Sequence, residues 1–554
     1  MITFDPIQVE VWRHLLASIA EEMGGALERT AYSPNIKERL DHSCALFNDR
    51  GELLAQAAHI PVHLGAMPLM LRALKDTVAW SPGLMILCND PRVGGTHLPD
   101  LTLVAPVYEV GGEDACGIDE TRLLLGFVAS RAHHADIGGL SPGSLPLSKE
   151  LFHEGLILPP MTLVKNGVVQ EEVVALVCAN SRTPAERRGD LSAQIAANET
   201  GIARFCELVV KSGLSEFKKR TSESIAYAES AIREMIAALP PGEYPATDFL
   251  DDDGADNRDI PIRVRITITK RADLSARSFP EAPAIRFDFT GSSPQVRGSL
   301  NATEAITRSA CCYLIRCLVE EEIPTNEGCF TPIEVIAPEG TIVNAKFPAA
   351  VAGGNVETSQ RIVDTLLKAF AQILPDRIPA MSQGTMNNLT IGGFDPIRNR
   401  PFAYYETMGG GAGASRDSPG ASAIHTHMTN TRNTPIESFE SHYPMRVMEY
   451  SIAEGTGGQG AHCGGDGLIR KIELLAEAHV TLLTERRIHA PPGISGGENG
   501  VPGENSLTLA DETVSIPGKW SGECPAGTIL TIRTPGGGGM GAKSNEKLGI
   551  CTPD

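Results

Sequence analysis

Three segments within the first 140 residues place histidine and aspartate close together. They span residues 38–43, 89–100 and 130–139, and their histidines and aspartates include Asp41, His97, Asp100, His133, His134 and Asp136. Imidazole and carboxylate groups together suit a divalent ion such as Zn²⁺, Mn²⁺ or Fe²⁺. His97 and Asp100 follow Gly94 and Gly95, and glycines let the backbone fold tightly around an ion. One interpretation of this spacing is a metal site.

The same residues also have ordinary structural interpretations. A His-x-x-Asp pair is frequent by chance, and Asp90 before a proline is typical of a turn cap. His134 is open as a ligand, as a packed histidine or as one that orients a ligand. His59 and His63 share one face of a strand or helix, where a structural role is favoured over ligation. Eight of the fourteen histidines precede residue 154, which favours a catalytic region in the N-terminal part.

Other motifs resemble nucleotide or nucleophile sites only in spacing. No Gly-x-x-x-x-Gly-Lys-Ser/Thr phosphate loop is present, and the Gly-x-Gly-x-x-Gly spacing that begins at Gly536 has too little chain after it for a dinucleotide unit. Gly-x-Ser-x-Gly occurs around Ser141 and Ser495. Neither serine follows a strand and opens a helix, as a nucleophile elbow must. The glycines at 536–539 are therefore predicted to form a tight loop against another backbone.

The elements that must position these residues indicate an α+β chain. Helical periodicity predicts a helix at 7–30, a largely helical region at about 186–238 and a helix at 356–374. Short apolar or alternating runs predict strands at 44–47, 52–55, 84–87, 101–108, 123–129, 262–269 and 285–289. The aspartates at 251–253 indicate an exposed turn. We expect a large mixed α/β enzyme subunit of several segments, glycine-rich and mainly β in its C-terminal half.

Size and composition limit the classes of protein further. A chain of 554 residues fits about three or four average domains. We expect a metal-site catalytic region at 1–240, a central α/β region at 241–404 and a glycine-rich β region at 405–554, with approximate boundaries. The formal charge of −20 argues against a nucleic-acid surface. No secretion signal and no run long enough to span a membrane is visible, so a cytoplasmic protein is expected.

The order of motifs along essentially the whole chain resembles that of the hydantoinase B/oxoprolinase family. One of them is Asn-Asp-Pro-Arg-Val-Gly-Gly-Thr-His-Leu-Pro-Asp at 89–100, and another is Ala-His-His-Ala-Asp-Ile-Gly-Gly at 132–139. The others lie at 38–43, 142–144, 353–360, 383–388, 405–411, 427–431, 464–467 and 534–539. So many long motifs in one order make coincidence implausible.

The resemblance implies the hydrolytic subunit of an ATP-dependent enzyme that opens hydantoin, 5-oxoproline or lactam rings. An A-type partner subunit with an actin-like site would bind ATP with Mg²⁺ and phosphorylate the substrate. The B-type subunit would complete the reaction at a divalent metal, with Zn²⁺, Mn²⁺ and Fe²⁺ all open. The A-type part is not in this chain, so a separate partner and a hetero-oligomer are expected. Carried over onto this sequence, the metal ligands are Asp41, His97, Asp100 and His133.

The resemblance also implies a chemical sequence. An amide resists hydrolysis because its carbonyl is resonance-stabilised, and phosphorylation of that oxygen would create a better leaving group. A metal-bound water, with its pKa lowered toward about 7, would then attack the carbon. Asp136, or His134 if it is not a ligand, would act as general base. The alternatives are a subunit of an ATP-dependent carboxylase of the acetone or acetophenone type, with bicarbonate as carbon source, and a noncatalytic scaffold.

Overall fold

The structure, a computed structural model, describes residues 4–57, 60–109, 122–269 and 284–543. Within these ranges the chain forms nine α-helices and twenty strands in four sheets. The helices are α1 (Pro6–Thr30), α2 (Pro34–Lys37), α3 (Ala66–Lys75), α4 (Glu171–Ala179), α5 (Pro184–Ser212), α6 (Leu214–Ala237), α7 (Glu304–Leu318), α8 (Ser359–Phe370) and α9 (Ile436–His442). None of these described helices has the length and apolar character needed to cross a membrane. The expected α+β class is confirmed.

The largest sheet has seven antiparallel strands, and the predicted site residues lie on its strands or in the loops next to them. Its order is β2 (Leu53–Gln56), β1 (His42–Asn48), β5 (Leu124–His133), β4 (Asp100–Tyr108), β3 (Met85–Cys88), β6 (Met161–Lys165) and β7 (Val168–Val169). The predicted hairpin at 44–55 forms β1 and β2, which are antiparallel neighbours. The apolar runs at 84–87, 101–108 and 123–129 form β3, β4 and β5, as predicted.

Both faces of this sheet are covered, because side chains alternate between faces along each strand. One face packs against α1 and α5, with Leu16 and Phe205 among its buried contacts. The other face presents Phe47, Val104 and Phe127 to a larger core that also contains α3, α7 and α8. The side chains of the candidate site lie on this second face, so helices from the middle of the chain pack over them.

A second sheet borders the same core. Its order is β11 (Ile333–Ile336), β10 (Ile285–Asp288), β9 (Arg258–Ile268) and β8 (Gly242–Asp252), with only the β10–β11 pair parallel. The predicted helix at 356–374 is confirmed in its central part as α8, but it is entered through a π-helical turn at Gly354–Thr358. Gly354 allows this entry, since a Cβ there would lie 2.0 Å from the carbonyl oxygen of Asn301.

The remaining two sheets lie in the C-terminal half, as predicted. One has the order β13 (Arg400–Glu406), β12 (Asn388–Asp395), β16 (Ala478–Leu483) and β19 (Lys519–Cys524). The other has the order β14 (Met445–Ala453), β15 (Gly467–Leu474), β20 (Ile529–Arg533), β17 (Glu504–Leu509) and β18 (Glu512–Ile516). They share a core that includes Leu389, Ile472 and Leu482. Of the expected region boundaries, 240 falls between α6 and β8, whereas 404 falls inside β13.

The glycines at 536–539 form a tight backbone junction, which confirms the structural role predicted for them. Four successive N–H groups donate to carbonyl oxygens in three different segments, at Met381, at Gly465, and at Glu498 and Val501. In a flat β-strand, alternate N–H groups would instead donate hydrogen bonds to the same neighbouring strand. Added Cβ atoms at these positions would approach backbone carbonyl oxygens to between 2.0 and 2.4 Å. The close approach explains why the sequence uses glycine here.

The exposed turn predicted at 251–253 is wrong. Asp251 and Asp253 are buried, and only Asp252 is partly exposed. Asp251 accepts hydrogen bonds from three successive backbone N–H groups at 487–489. Asp253 accepts from the N–H groups of Ala255, Asn257 and Gly298. A buried carboxylate is tolerated here because backbone donors replace water.

Candidate metal centre

The strand register brings three of the predicted residues together at one end of the seven-stranded sheet. His133 ends β5 and is paired with Asp100, the first residue of β4. Asp41 immediately precedes β1, and its carbonyl oxygen accepts a hydrogen bond of 3.0 Å from the N–H of His133. Residues directly opposite one another on antiparallel strands project their side chains to the same face. The three residues therefore form one row across neighbouring strands.

The fourth predicted ligand, His97, is placed by the loop between β3 and β4. Asp90 caps the short helical turn Pro91–Val93 by accepting from the N–H of Arg92, which confirms the turn-cap interpretation. Gly94 has a φ of +88° and packs on Met70, where a Cβ would meet the backbone nitrogen at 2.6 Å. This left-handed, close-packed turn requires glycine. After the turn the chain continues to β4, and His97 lies next to the row formed by Asp41, Asp100 and His133.

Three ligand atoms converge at this point. Nε2 of His97, Oδ1 of Asp100 and Nδ1 of His133 lie 3.2 Å from one another in each pairing. Among the described residues, these three side chains form a group whose ligand atoms lie close enough to one another to bind a single metal ion. Ligands about 2.0–2.1 Å from a tetrahedral zinc ion are separated by about 3.3 Å, so the observed spacing matches a common coordination sphere.

The Asp100 carboxylate is held so that one oxygen faces this group. Its Oδ2 accepts hydrogen bonds from the Thr96 hydroxyl and from Nε2 of His63, the latter at 3.3 Å. Nδ1 of His63 is in turn 2.9 Å from the hydroxyl of Ser43. Burial alone would raise the pKa of Asp100, but the charges of His97 and His63 and the hydrogen bond from His63 hold it well below its usual value. His63 thus orients a predicted ligand, in line with the structural role favoured for it.

The His97 ring is oriented from behind by the backbone at residues 351–352. Its Nδ1 lies 3.4 Å from the carbonyl oxygen of Ala352, and a proton on Nδ1 leaves the Nε2 lone pair for an ion. Oε1 of Glu154 accepts hydrogen bonds from the N–H groups of Val351 and Ala352 and from the hydroxyl of Ser148. Glu154 thereby fixes the carbonyl that faces His97. Such outer contacts are typical of metal-ligating histidines.

Asp41 lies beside the three converging atoms rather than among them. It lines a small cavity of about 20 Å³ together with His133, Asn355 and Tyr405. This volume holds about one water molecule. Burial raises the pKa of Asp41 despite the nearby His133 and Arg39. A divalent cation beside this carboxylate would reverse the shift, because it favours the ionised form.

The residues present fit a divalent ion. Oδ1 of Asp100, one of the three converging atoms, is buried and has no hydrogen-bond partner within the described part of the chain. Buried polar atoms are normally satisfied, so orphaned atoms need an explanation. Two neutral imidazoles with the carboxylates of Asp41 and Asp100 would carry two negative charges, which balance a doubly charged ion. The donor set of nitrogen and oxygen suits Zn²⁺, Mn²⁺ or Fe²⁺.

The two predicted proton-transfer residues lie apart from this group. Asp136 accepts hydrogen bonds from the N–H groups of Gly138, Gly143 and Arg182 and from the Arg182 guanidinium, as a loop-stabilising carboxylate does. His134 projects to the other face of the sheet, where its Nε2 lies 3.0 Å from Oε1 of Gln194. Burial lowers the pKa of His134 to about 4. Their catalytic roles stay predictions.

Several side chains at the site escaped the spacing argument. Thr96, Glu154, Asn355 and Tyr405 all contact a predicted ligand or the backbone that holds one. Thr96, Asn355 and Tyr405 do lie in the motifs at 89–100, 353–360 and 405–411, and those motifs gave the only available signal for them. His59 lies outside the described residues.

Nearly the whole chain is similar in sequence to proteins of one family. The model of the hydantoinase B/oxoprolinase family matches residues 5–543. The chain is 41% identical to 5-oxoprolinase 1 of Arabidopsis thaliana over 97% of its own length, but it spans only 42% of that protein. It is 32% identical to the putative B component of a D-/L-hydantoinase from a Pseudomonas species, covering 97% of this chain and 90% of that one.

A solved structure shows the same fold. The chain superposes on the ATP-dependent caprolactamase of Pseudomonas jessenii with a TM-score of 0.86 and 26% sequence identity. The match covers 98% of this chain and 91% of that one. The similarity therefore extends over all four sheets.

Proposed function

The chain belongs to the hydantoinase B/oxoprolinase family, and we propose that it is the hydrolytic subunit of an ATP-dependent enzyme that opens cyclic amides. The single observation that carries this proposal is the convergence of His97, Asp100 and His133 at 3.2 Å. A noncatalytic scaffold has no need of three buried ligand atoms that converge in this way. The proposed ligands are these three residues and Asp41.

A divalent ion held there would supply Lewis-acid chemistry and would lower the pKa of a bound water. The side chains of this chain do the positioning. Thr96 and His63 direct one oxygen of Asp100 toward the group, and the 351–352 backbone directs Nε2 of His97. The surrounding core limits access of bulk water, which strengthens electrostatic interactions at the site.

The proposed partner is an A-type subunit that binds ATP with Mg²⁺ and phosphorylates the ring carbonyl oxygen. One observation supports a partner: a relative is named as one component of a hydantoinase. Phosphorylation would turn the amide oxygen into a leaving group, and attack by water at that carbon would then open the ring. The C–N bond breaks, the ring nitrogen takes up a proton, and the carbonyl carbon is left as an acyl phosphate. A second water would then hydrolyse this acyl phosphate to the carboxylate and free phosphate.

The experiment that tests this function measures ATP turnover by the chain mixed with an A-type subunit. Hydantoin, 5-oxoproline and caprolactam would each be supplied with and without bicarbonate. We expect ring opening that requires both proteins and ATP and does not require bicarbonate. Strict dependence on bicarbonate, with its carbon in the product, would instead assign the chain to the carboxylase alternative.

A further inference from the structure

Asn355 is a buried carboxamide that reaches the three converging atoms from a distant part of the chain. It lies in the π-helical turn Gly354–Thr358 and is 4% exposed. Its Nδ2 lies 3.0 Å from Nε2 of His97. Its Oδ1 is buried and has no hydrogen-bond partner among the residues that the structure describes. One end of the amide therefore contacts a proposed ligand, and the other end is unsatisfied.

The backbone holds Asn355 in this position. The close packing of Gly354 against Asn301 fixes the start of the turn. The hydroxyl of Ser359 donates a hydrogen bond of 2.7 Å to the carbonyl oxygen of Asn355. Asn355 also lines the small cavity beside Asp41 and His133. The side chain thus borders the same space as the proposed ligands.

The orientation of the amide decides what it can do there. If Nδ2 faces His97, it donates to the Nε2 lone pair that an ion would use. A rotation of 180° about the Cβ–Cγ bond exchanges the nitrogen and oxygen with almost no change in shape. Oδ1 would then lie where Nδ2 now lies, 3.0 Å from Nε2 of His97. That separation is close to the 3.2 Å between the other ligand atoms.

We propose that Asn355 is a further ligand of the divalent ion, which it binds through Oδ1. This inference rests on the metal centre of the proposed function. A neutral amide oxygen adds a metal ligand without adding charge, and the carboxylates of Asp41 and Asp100 already balance a doubly charged ion. A site with two imidazoles, two carboxylates and an amide exceeds the four ligands of tetrahedral Zn²⁺. Ions that accept more ligands, such as Mn²⁺, are therefore expected to gain most from Asn355.

The competing role is that of a hydrogen-bond donor that only holds the His97 ring. The two roles use opposite ends of the amide, so two variants separate them. Asn355→Ala removes both ends. Asn355→Asp keeps an oxygen that can bind an ion and removes the NH₂ group. A ligand role predicts that aspartate restores binding, whereas a donor role predicts that it does not.

The experiment measures Mn²⁺ binding to the purified chain, without its partner, from the EPR signal of free Mn²⁺. A parallel Zn²⁺ titration is followed by calorimetry. We expect Asn355→Ala to weaken Mn²⁺ binding by about 10–100-fold, the range that supporting contacts to a metal typically contribute, and to weaken Zn²⁺ binding less. Asn355→Asp should bind Mn²⁺ at least as tightly as the unmodified chain. The matched control is Asn326→Ala, which removes a buried amide that contacts Ser224 and Gly328 instead.

The outcomes distinguish this inference from the proposed metal centre. If Asn355→Ala binds Mn²⁺ as tightly as the unmodified chain, Asn355 is not a ligand and the centre stands without it. If Asn355→Asp binds as weakly as Asn355→Ala, the NH₂ group is what matters and the inference is overturned. If the unmodified chain binds neither ion, the centre itself fails. Should Asn355→Ala not fold by circular dichroism, the comparison of Asn355→Asp with the unmodified chain decides.

Discussion

The ring of Tyr405 stacks on the imidazole of His133, with centroids 4.7 Å apart and planes inclined by 20°. The Tyr405 hydroxyl donates a 3.0 Å hydrogen bond to Oδ1 of Asn388, whose Nδ2 donates at 2.7 Å to Oε1 of Glu357. Burial and the charge of Glu485 raise the pKa of Glu357 to about 8. A chain of buried contacts thus runs from a proposed ligand to a carboxyl group on the π-helical turn.

Two variants of Tyr405 should separate the ring from the hydroxyl. Tyr405→Phe keeps the stacking ring, so we expect Mn²⁺ affinity to change by less than about threefold, while the lost hydrogen bond costs about 1–2 kcal/mol of stability. Tyr405→Leu removes the ring and frees the His133 imidazole to turn, so affinity should fall about tenfold. Metal titration and chemical denaturation of both variants measure the two effects. Equal affinities in the two variants would show that the stacking does not hold the ligand.

The proposed ligands should be essential for turnover and dispensable for assembly. We expect Asp41→Asn and His133→Ala to abolish ATP-dependent ring opening, because each removes a donor from the proposed centre. Both variants should still elute with the A-type subunit in size-exclusion chromatography, since the change is confined to a buried end of the sheet. Asp395→Asn is the matched control, because that carboxylate only stabilises the turn between β12 and β13. Retained activity in both ligand variants would contradict the proposal.

Removal of the ion should lower the stability of the isolated chain. An ion that binds only the folded state at 100 times its dissociation constant adds about 2.7 kcal/mol to the free energy of unfolding. We therefore expect a chelator to lower the melting temperature and added Mn²⁺ or Zn²⁺ to restore it. His97→Ala, which removes one converging donor, should lose most of this response. An equal response in the variant would place the ion elsewhere.

Glu154 should make the stability of the chain depend on pH. Burial raises its pKa from the ordinary 4.5 to about 7. The folded state therefore holds this proton more tightly than the unfolded state, and stability is lost as pH rises from about 4.5 to 7. With 1.36 kcal/mol per pKa unit, the loss is on the order of 3 kcal/mol.

Glu154→Gln should remove that loss, because the amide keeps the oxygen that accepts from Val351, Ala352 and Ser148. Chemical denaturation of both proteins at pH 5 and pH 8 measures the loss of stability between these pH values. From pH 5 to pH 8, the free energy of unfolding of the variant should rise by about 2.5 kcal/mol relative to that of the unmodified chain, because part of the loss has already occurred at pH 5. Parallel pH dependence in the two proteins would mean that Glu154 ionises normally.

The part of the site that spacing alone predicts is the part whose residues are neighbours in the chain, whereas Asp41 and His133 were predicted through the family resemblance. His97 and Asp100 are three residues apart and do converge. Asn355 contacts His97 across 258 residues, and no spacing pattern encodes that distance. The contact exists because the π-helical turn before α8 packs over the sheet, which depends on how two layers meet.

The strands and long helices were predictable for a similar reason, since alternation and helical periodicity reflect the faces that a segment buries. The aspartates at 251–253 show where this fails. Consecutive carboxylates suggest solvent, yet Asp251 is buried because it binds the N–H groups of 487–489. Its partners lie more than 230 residues away, so the burial of that charge depends on a backbone that only the complete fold supplies.

Gly537 should be among the least replaceable residues of the C-terminal half. A Cβ there would lie 2.0 Å from the carbonyl oxygen of Ala412 and 2.3 Å from its carbonyl carbon. These atoms cannot move aside as a side chain can, because the Ala412 carbonyl oxygen accepts a hydrogen bond from the N–H of Gly465 and the N–H of Ala412 donates to Ala421. The backbone of Gly537 is also held, since its carbonyl oxygen accepts from the N–H of Gly458. We expect Gly537→Ala to lower the free energy of unfolding by at least about 3 kcal/mol, measured by chemical denaturation.

Gly25→Ala is the control for Gly537→Ala. In α1 the new methyl group meets only the flexible end of Arg29, and the gain in helix propensity should stabilise the chain by about 0.5–1 kcal/mol. Similar stabilities for the two variants would mean that the junction tolerates a side chain and that its glycines are not required by close packing.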